Sequence, residues 1–140
     1  MLAVFQYLDS QNYKSEVIVV DDGSTDKTNQ IASDFQKNRY NLFLLRNEQN
    51  SQKGYSVKRG ILYAKGKYIL YSDADLSVQI KEIEKFYKWF DKGYDILLFR
   101  HSFHDTQCGF KCFKEKQLGY FLTSRRYLTS LLILKSSCWL

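Results

Sequence analysis

Two acidic clusters carry the side chains of this chain that are best suited to chemistry. The first, Asp21-Asp22-Gly23-Ser24, follows a β-type apolar run over residues 16–20, and the second, Asp73-Ala74-Asp75, follows a similar run over residues 68–71. Carboxylates at the carboxyl ends of neighbouring buried strands lie where an open α/β sheet places its ligand site. Two such strand ends together can hold a nucleotide and a divalent cation.

The first cluster combines a turn with two hydrogen-bond acceptors. Gly23 lets the chain turn sharply out of the strand, and Ser24 or Thr25 can cap the helix that follows. Asp21 and Asp22 then face a crevice, where they can accept hydrogen bonds from a nucleobase N–H or from ribose hydroxyls. The alternative is a plain strand-to-helix turn, because Asp and Gly favour turns in any case.

The second cluster suggests a metal site. Alternation along an extended segment points the carboxylates of Asp73 and Asp75 to one side, where their repulsion is relieved by a bound cation. Mg²⁺ or Mn²⁺ prefers such oxygen ligands and commonly shares its coordination shell with substrate phosphates. The alternative is an acidic loop with a chance Asp-x-Asp.

Strand-like and helix-like segments alternate along the chain and predict where these clusters lie. The predicted strands are residues 16–20, 42–45, 67–72 and 94–99, and the predicted helices are residues 26–37, 55–65 and 80–92. Gly66 and Gly93 are the expected stop signals of the second and third helices. The expected buried helix positions are Ile31, Ala32 and Phe35; Val57, Ile61 and Ala64; and Ile80, Ile83, Phe86, Tyr87 and Phe90. Such a series implies an α/β fold with a mainly parallel sheet and flanking helices.

Composition limits the function classes. The 140 residues suit one domain, and of the net charge of +6, residues 116–140 carry +4 from Lys116, Arg125, Arg126 and Lys135 without any acid. The remaining 17 basic and 15 acidic residues do not form a nucleic-acid footprint. The three cysteines are expected to be reduced thiols. We expect no signal peptide and a cytoplasmic location, with residues 116–140 either lying on the cytoplasmic face of a membrane or forming an unpacked end.

Four segments in order carry a family resemblance. Residues 16–28, 53–60 and 66–77 resemble family 2 glycosyltransferases of GT-A fold, with the closest likeness to the dolichyl-phosphate β-glucosyltransferase-like branch and its polyprenyl-phosphate relatives. Residues 105–111, Asp105-Thr-Gln-Cys-Gly-Phe-Lys111, resemble a later motif of that branch. The resemblance predicts a partial GT-A domain over residues 1–115 and a basic tail over residues 116–140.

The resemblance implies an activity and a set of site residues. The activity is inverting transfer of a sugar from a UDP- or GDP-sugar to a membrane polyprenyl or dolichyl phosphate, assisted by Mg²⁺ or Mn²⁺. The implied catalytic residues are Asp75, Arg100 and Asp105. The implied substrate-binding residues are Asp21, Asp22, Lys53, Asp73 and Lys111, and the implied metal ligands are Asp73 and Asp75.

The chain also departs from the family pattern. The family begins with a strand that ends in a nucleotide-binding motif, whereas this chain starts at the helix that follows it, so we expect that strand to be missing. Gln52 stands where a glycine usually precedes the lysine. Only four residues separate Arg100 from Asp105, where the family has a long segment with membrane-facing helices. We therefore expect a truncated member with a bare sheet edge and impaired catalysis, or a catalytically inactive nucleotide-sugar-binding remnant.

A minor alternative is a small zinc-binding protein. His101, His104, Cys108 and Cys112 form H-x2-H-x3-C-x3-C, whose side chains are chemically able to bind zinc. The spacing matches no established zinc module, and Cys108 already belongs to the glycosyltransferase-like motif.

Overall fold

The computed structural model describes residues 1–76, 78–98, 110–114 and 128–135 of the chain. The helices in these ranges are α1 (Leu2–Asp9), α2 (Thr28–Lys37), α3 (Gln52–Tyr63) and α4 (Ile83–Asp91), the last preceded by a 3₁₀ turn over Ile80–Glu82. The strands are β1 (Lys14–Asp21), β2 (Leu42–Arg46), β3 (Tyr68–Asp73), β4 (Ile96–Leu98), β5 (Lys111–Lys114) and β6 (Leu128–Lys135). None of the helices in the described ranges combines the length and the apolar character needed to cross a bilayer.

The strands form one sheet in the order β2-β1-β6-β3-β5-β4. The pairs β2–β1, β1–β6 and β6–β3 are parallel, whereas β5 runs antiparallel to both β3 and β4. Helices follow β1, β2 and β3, as βαβ connections require. The predicted α/β fold with a mainly parallel sheet is therefore confirmed.

Strand β6 lies in the middle of this sheet. Leu131 is in register with Val17 of β1 on one side and with Leu70 of β3 on the other. Because neighbouring strands are about 4.8 Å apart, the backbones of β1 and β3 lie about 10 Å from each other, with β6 paired to both. The sequence analysis predicted no strand in residues 116–140 and expected a bare sheet edge, but β1 has partners on both sides.

The sheet is covered on both faces, and β1 contributes to both cores. Val17 and Val19 belong to the larger apolar cluster, which includes buried residues of α1, α2 and α4. Ile18 and Val20 belong to the smaller cluster, where Val57 and Ile61 of α3 pack with Ala64, the residue after that helix. This near-continuous apolar strand is typical of parallel sheets buried on both faces.

The helix stripe of residues 80–92 was predicted correctly. Ile80, Ile83, Phe86 and Phe90 are buried, and Tyr87 packs against them. The C-cap of α4 is Lys92, and the next residue, Gly93, has a φ of +94°. That backbone conformation favours glycine and explains why the helix stops there.

Three local expectations were wrong. Helix α2 begins at Thr28 after the N-cap Lys27, so neither Ser24 nor Thr25 caps it. Ile31, expected in the core, is 55% exposed, whereas Ala32 is buried. Helix α3 ends at Tyr63 because its C-cap, Ala64, is already extended, and Gly66 therefore lies beyond the helix end.

The central position of β6 gives the first testable prediction. Leu131→Pro removes a backbone donor from the middle of the sheet, where proline is not tolerated. We expect a loss of about 3 kcal/mol or more in the free energy of unfolding, measured by urea denaturation followed by circular dichroism. Tyr40→Pro is the matched control, because Tyr40 is 97% exposed and follows Arg39, whose carbonyl accepts from the Leu42 N–H to close a turn. Equal stability of the two variants would contradict the assignment of residues 128–135 to the sheet centre.

Candidate functional site

The two acidic strand ends lie at the same edge of the sheet. Asp21, the last residue of β1, is in register with Lys135, and Asp73, the last residue of β3, is in register with Leu134. Since β1, β6 and β3 run parallel, their carboxyl ends point the same way, and β6 alone separates the two acidic ends. The predicted common edge is confirmed.

Asp21 holds the turn that follows β1. Its side chain is fully buried; Oδ1 accepts from the Ser24 N–H at 3.0 Å and Oδ2 from Asn29 Nδ2 at 3.1 Å. The Arg46 Nε lies 3.7 Å from Oδ2. This carboxylate therefore joins the turn to the start of α2 and to the end of β2.

Gly23 is required for the shape of the same turn. Its φ is +74°, and a Cβ atom added there would lie 2.8 Å from Asn50 N and 2.8 Å from the Gln49 carbonyl carbon. Both neighbours are backbone atoms and cannot move aside as a flexible side chain can. The turn after β1 thus packs directly against the loop that follows β2.

Asp22 is the buried acceptor of a polar network. Its Oδ1 accepts from Asn47 Nδ2 at 2.6 Å and from the Ser51 N–H at 2.9 Å. The Asn47 amide also donates to Ser56 Oγ at 2.7 Å, and its Oδ1 accepts from Arg59 at 2.6 Å. Asn47 was not predicted as a site residue, although it is a polar residue directly after the second strand.

These hydrogen bonds decide the charge of Asp22. Burial by itself would raise the pKa of this carboxyl group, but the hydrogen bonds from Ser51, Asn47 and Ser56 favour the ionised form, and the resulting pKa lies below the usual value. Asp22 is therefore a carboxylate at neutral pH. Asp21 and Asp22 are both 0% exposed, which corrects the expectation that their carboxylates face a crevice: the acceptors that the structure describes are used by donors of the protein itself.

Asp73 is held by two partners. Lys53 Nζ lies 2.8 Å from Asp73 Oδ1, and the Tyr71 hydroxyl donates to the same oxygen at 2.7 Å. The Lys53 ammonium also lies 5.6 Å from the centre of the Tyr71 ring. Burial raises the pKa of Tyr71 to about 12, so its hydroxyl keeps the proton that it donates. Tyr71 was not identified from the sequence.

The segment after Asp73 is a turn, which corrects the expected extended geometry. The Leu76 N–H donates to the Asp73 carbonyl at 3.2 Å, and Leu76 has a φ of +53°. Ala74 and Asp75 lie in this turn and are exposed. The period-two argument that placed both carboxylates on one side does not apply, because the strand ends at Asp73.

The chemistry of the two carboxylates still suits a divalent cation. Mg²⁺ commonly binds through one or two carboxylates and completes its shell with water and substrate phosphates. Asp73 and Asp75 offer that number of oxygen ligands at one strand end. Within the described ranges, no cluster of three histidine, cysteine or acidic side chains is suited to a metal.

The remaining candidate residues fall into two groups. Lys111 begins β5 in register with Tyr71, which brings its backbone close to the end of β3. Other candidates lie outside the described residues, namely Arg100, His101, His104, Asp105 and Cys108.

Cys112 gives no support to the zinc alternative. Its thiol is buried in the larger apolar cluster, and burial raises its pKa to about 12. Zinc binds the thiolate form, which this environment disfavours.

A pair of glycine substitutions tests the turn after β1. Gly23→Ala forces a Cβ against the backbone of residues 49 and 50 at a positive φ, and we expect a loss of at least about 1 kcal/mol in the free energy of unfolding. Gly54→Ala meets no atom within 4 Å inside α3, and we expect a gain of about 0.5–1 kcal/mol. Urea titration of both variants measures these values. The two substitutions should change the free energy of unfolding in opposite directions. An unchanged free energy of unfolding in Gly23→Ala would contradict the close approach of this turn to the backbone of residues 49 and 50.

The lowered pKa of Asp22 predicts a pH-dependent stability. Because the folded-state pKa lies below 3.8, the Asp22 charge stabilises the fold above that pH, and the contribution disappears as pH falls through the folded-state pKa. We expect Asp22→Asn to cost about 2 kcal/mol at pH 7 and progressively less below pH 3.8. Urea denaturation at several pH values measures the difference from wild type. Asp91→Asn, at the exposed end of α4, is the control, and a cost of Asp22→Asn that does not change with pH would refute this assignment.

Comparison with known proteins gives one family match that spans almost the whole chain. The family model described as Glycosyl transferase family 2 matches residues 3–139. This range includes both acidic strand ends and strand β6.

Individual relatives are matched over less than half of their own length. A dolichyl-phosphate beta-glucosyltransferase of Dictyostelium discoideum is 31% identical over 125 residues, which cover 86% of this chain and 35% of the relative. The protein of that name from Drosophila melanogaster is 30% identical over 162 residues, which cover 86% of this chain and 47% of the relative. The one from Saccharomyces cerevisiae is 37% identical over 75 residues, which cover 50% of this chain and 22% of the relative. The chain thus spans less than half the length of these curated relatives.

Proposed function

This chain belongs to glycosyl transferase family 2, and from that premise we propose that it is part of an enzyme that transfers a sugar, with inversion, from a UDP- or GDP-sugar to a dolichyl or other polyprenyl phosphate. The relatives are named dolichyl-phosphate beta-glucosyltransferases, which supports sugar transfer to a dolichyl phosphate. The proposal rests on one observation: β1 and β3 end at the same edge of the sheet. Asp22 directly follows β1, and Asp73 is the last residue of β3. A ligand crevice at the carboxyl edge of a parallel sheet is the expected site of a nucleotide.

In this proposal the nucleoside lies against the turn that follows β1. Asp22 is ionised, and its hydrogen bonds to Asn47 and the Ser51 N–H fix its position. Because Asp22 is 0% exposed, its role in this proposal is to hold the turn against which the nucleoside lies. The buried Asp21 maintains this turn by binding the Ser24 N–H.

The diphosphate of the donor lies at the end of β3. Asp73 and Asp75 are the residues that would hold Mg²⁺ or Mn²⁺, and the ion, when bound, would neutralise charge on the departing diphosphate. Tyr71 orients the Asp73 carboxylate through its hydroxyl. Lys53 brings a positive charge to the same strand end.

The acceptor chemistry places modest demands on the protein. A polyprenyl phosphate is already anionic at neutral pH, so no strongly activated general base is needed. The main tasks of the side chains are alignment of the reactants and stabilisation of the leaving group. Such an enzyme would act in the cytoplasm at the cytoplasmic face of a membrane, where its lipid acceptor is found.

Metal-dependent nucleotide binding tests the proposal. We expect UDP affinity, measured by calorimetry, to rise with Mn²⁺, and Asp75→Ala to remove that rise, a loss of several kcal/mol. Asp91→Ala is the matched control, because α4 ends at the opposite edge of the sheet: Lys114, in register with Tyr68, donates to the Phe90 carbonyl. Identical UDP affinity of the wild type with and without Mn²⁺ would refute metal-dependent nucleotide binding.

Turnover separates the two candidate functions. The chain is incubated with UDP-glucose or GDP-mannose, Mn²⁺ and a short polyprenyl phosphate, and the glycolipid is measured. Product supports the enzyme. Metal-dependent binding without product supports an inactive nucleotide-sugar-binding remnant.

A further inference from the structure

The carboxylate of Asp73 is already neutralised by a cation of the protein itself. The Lys53 ammonium lies 2.8 Å from Asp73 Oδ1, within the range of a charge-assisted hydrogen bond. The Tyr71 hydroxyl donates to the same oxygen, so two donors converge on it. A divalent ion that binds Asp73 must therefore compete with a resident positive charge.

Lys53 is free to move away, whereas Tyr71 is not. The Lys53 side chain is half exposed, begins in the first turn of α3 and carries its charge on a flexible four-carbon stem. Tyr71 lies inside β3 and its ring is buried. The hydroxyl can therefore keep its hold on the carboxylate while the ammonium leaves.

We propose that Lys53 is an exchangeable counter-ion of Asp73: a divalent cation displaces the ammonium, which then binds the diphosphate of the donor. This inference rests on the proposed function. It assigns Lys53 opposite effects on two ligands, because the ammonium repels the metal ion and attracts the anionic diphosphate. A residue that merely supports the fold would not produce effects of opposite sign.

The test compares two lysines of the same helix. Lys53→Met removes the charge and keeps most of the apolar stem, and Lys58→Met makes the same change at an exposed position five residues further along α3. Binding of Mn²⁺ alone is measured from the electron paramagnetic resonance signal of the free ion. Binding of UDP at saturating Mn²⁺ is measured by calorimetry, and circular dichroism confirms that both variants are folded.

We expect Lys53→Met to bind Mn²⁺ alone about fivefold more tightly than wild type. A change of about fivefold corresponds to the upper end of the strength of a partly exposed ion pair. The same variant is expected to bind UDP with Mn²⁺ roughly tenfold more weakly, because a charged hydrogen bond to phosphate is lost. Lys58→Met should resemble wild type in both measurements.

Two results would overturn the inference, and they can be told apart. If wild type binds UDP with Mn²⁺ but Lys53→Met binds Mn²⁺ alone no more tightly than wild type, the exchange is wrong and the proposed function stands. If neither wild type nor Lys53→Met binds Mn²⁺ or UDP, the proposed function fails and the exchange fails with it.

Discussion

Parallel pairing of β6 with both β1 and β3 is the interaction on which the site depends. Asp21 and Asp73 end two strands that share no hydrogen bond, and they point to one edge only because β6 has the same direction as both. Two strand spacings set the separation of their backbones at about 10 Å. The position of β6 thus sets the separation of the two acidic ends, between which the proposed nucleoside and diphosphate would lie.

The start of α3 links the two acidic ends a second time. The Ser51 N–H binds Asp22, and two residues later the Lys53 ammonium binds Asp73. Asn47 adds a connection from the end of β2 to the Asp22 carboxylate. A shift of α3 would therefore change both subsites together. One short segment thus contacts both the turn that follows β1 and the carboxylate at the end of β3.

Hydrophobic patterns were sufficient to predict β1, β2, β3 and most of the helices, and alternating strands and helices were sufficient to place both acidic ends on one edge. The order of the sheet could not be predicted, because the apolar run at residues 131–134 does not by itself indicate which strands it pairs with. The turn at Asp75 was missed because it depends on the left-handed backbone of Leu76, which is not a residue that signals a turn. Asn47 and Tyr71 could not be singled out, because an uncharged polar residue or a tyrosine near a strand end does not by itself indicate a ligand site.

Gln52 lies between the two residues that connect α3 to the acidic strand ends, and its backbone is strained. Its φ is +71°, a left-handed conformation that glycine adopts readily and that other residues adopt with strain of about 1 kcal/mol or more. The sequence resemblance places a glycine at this position in the family. The residues on both sides of Gln52 are held by contacts: the Ser51 N–H is bound to Asp22 and the Lys53 ammonium to Asp73. The local strain at Gln52 is therefore supported by the contacts that form the candidate site.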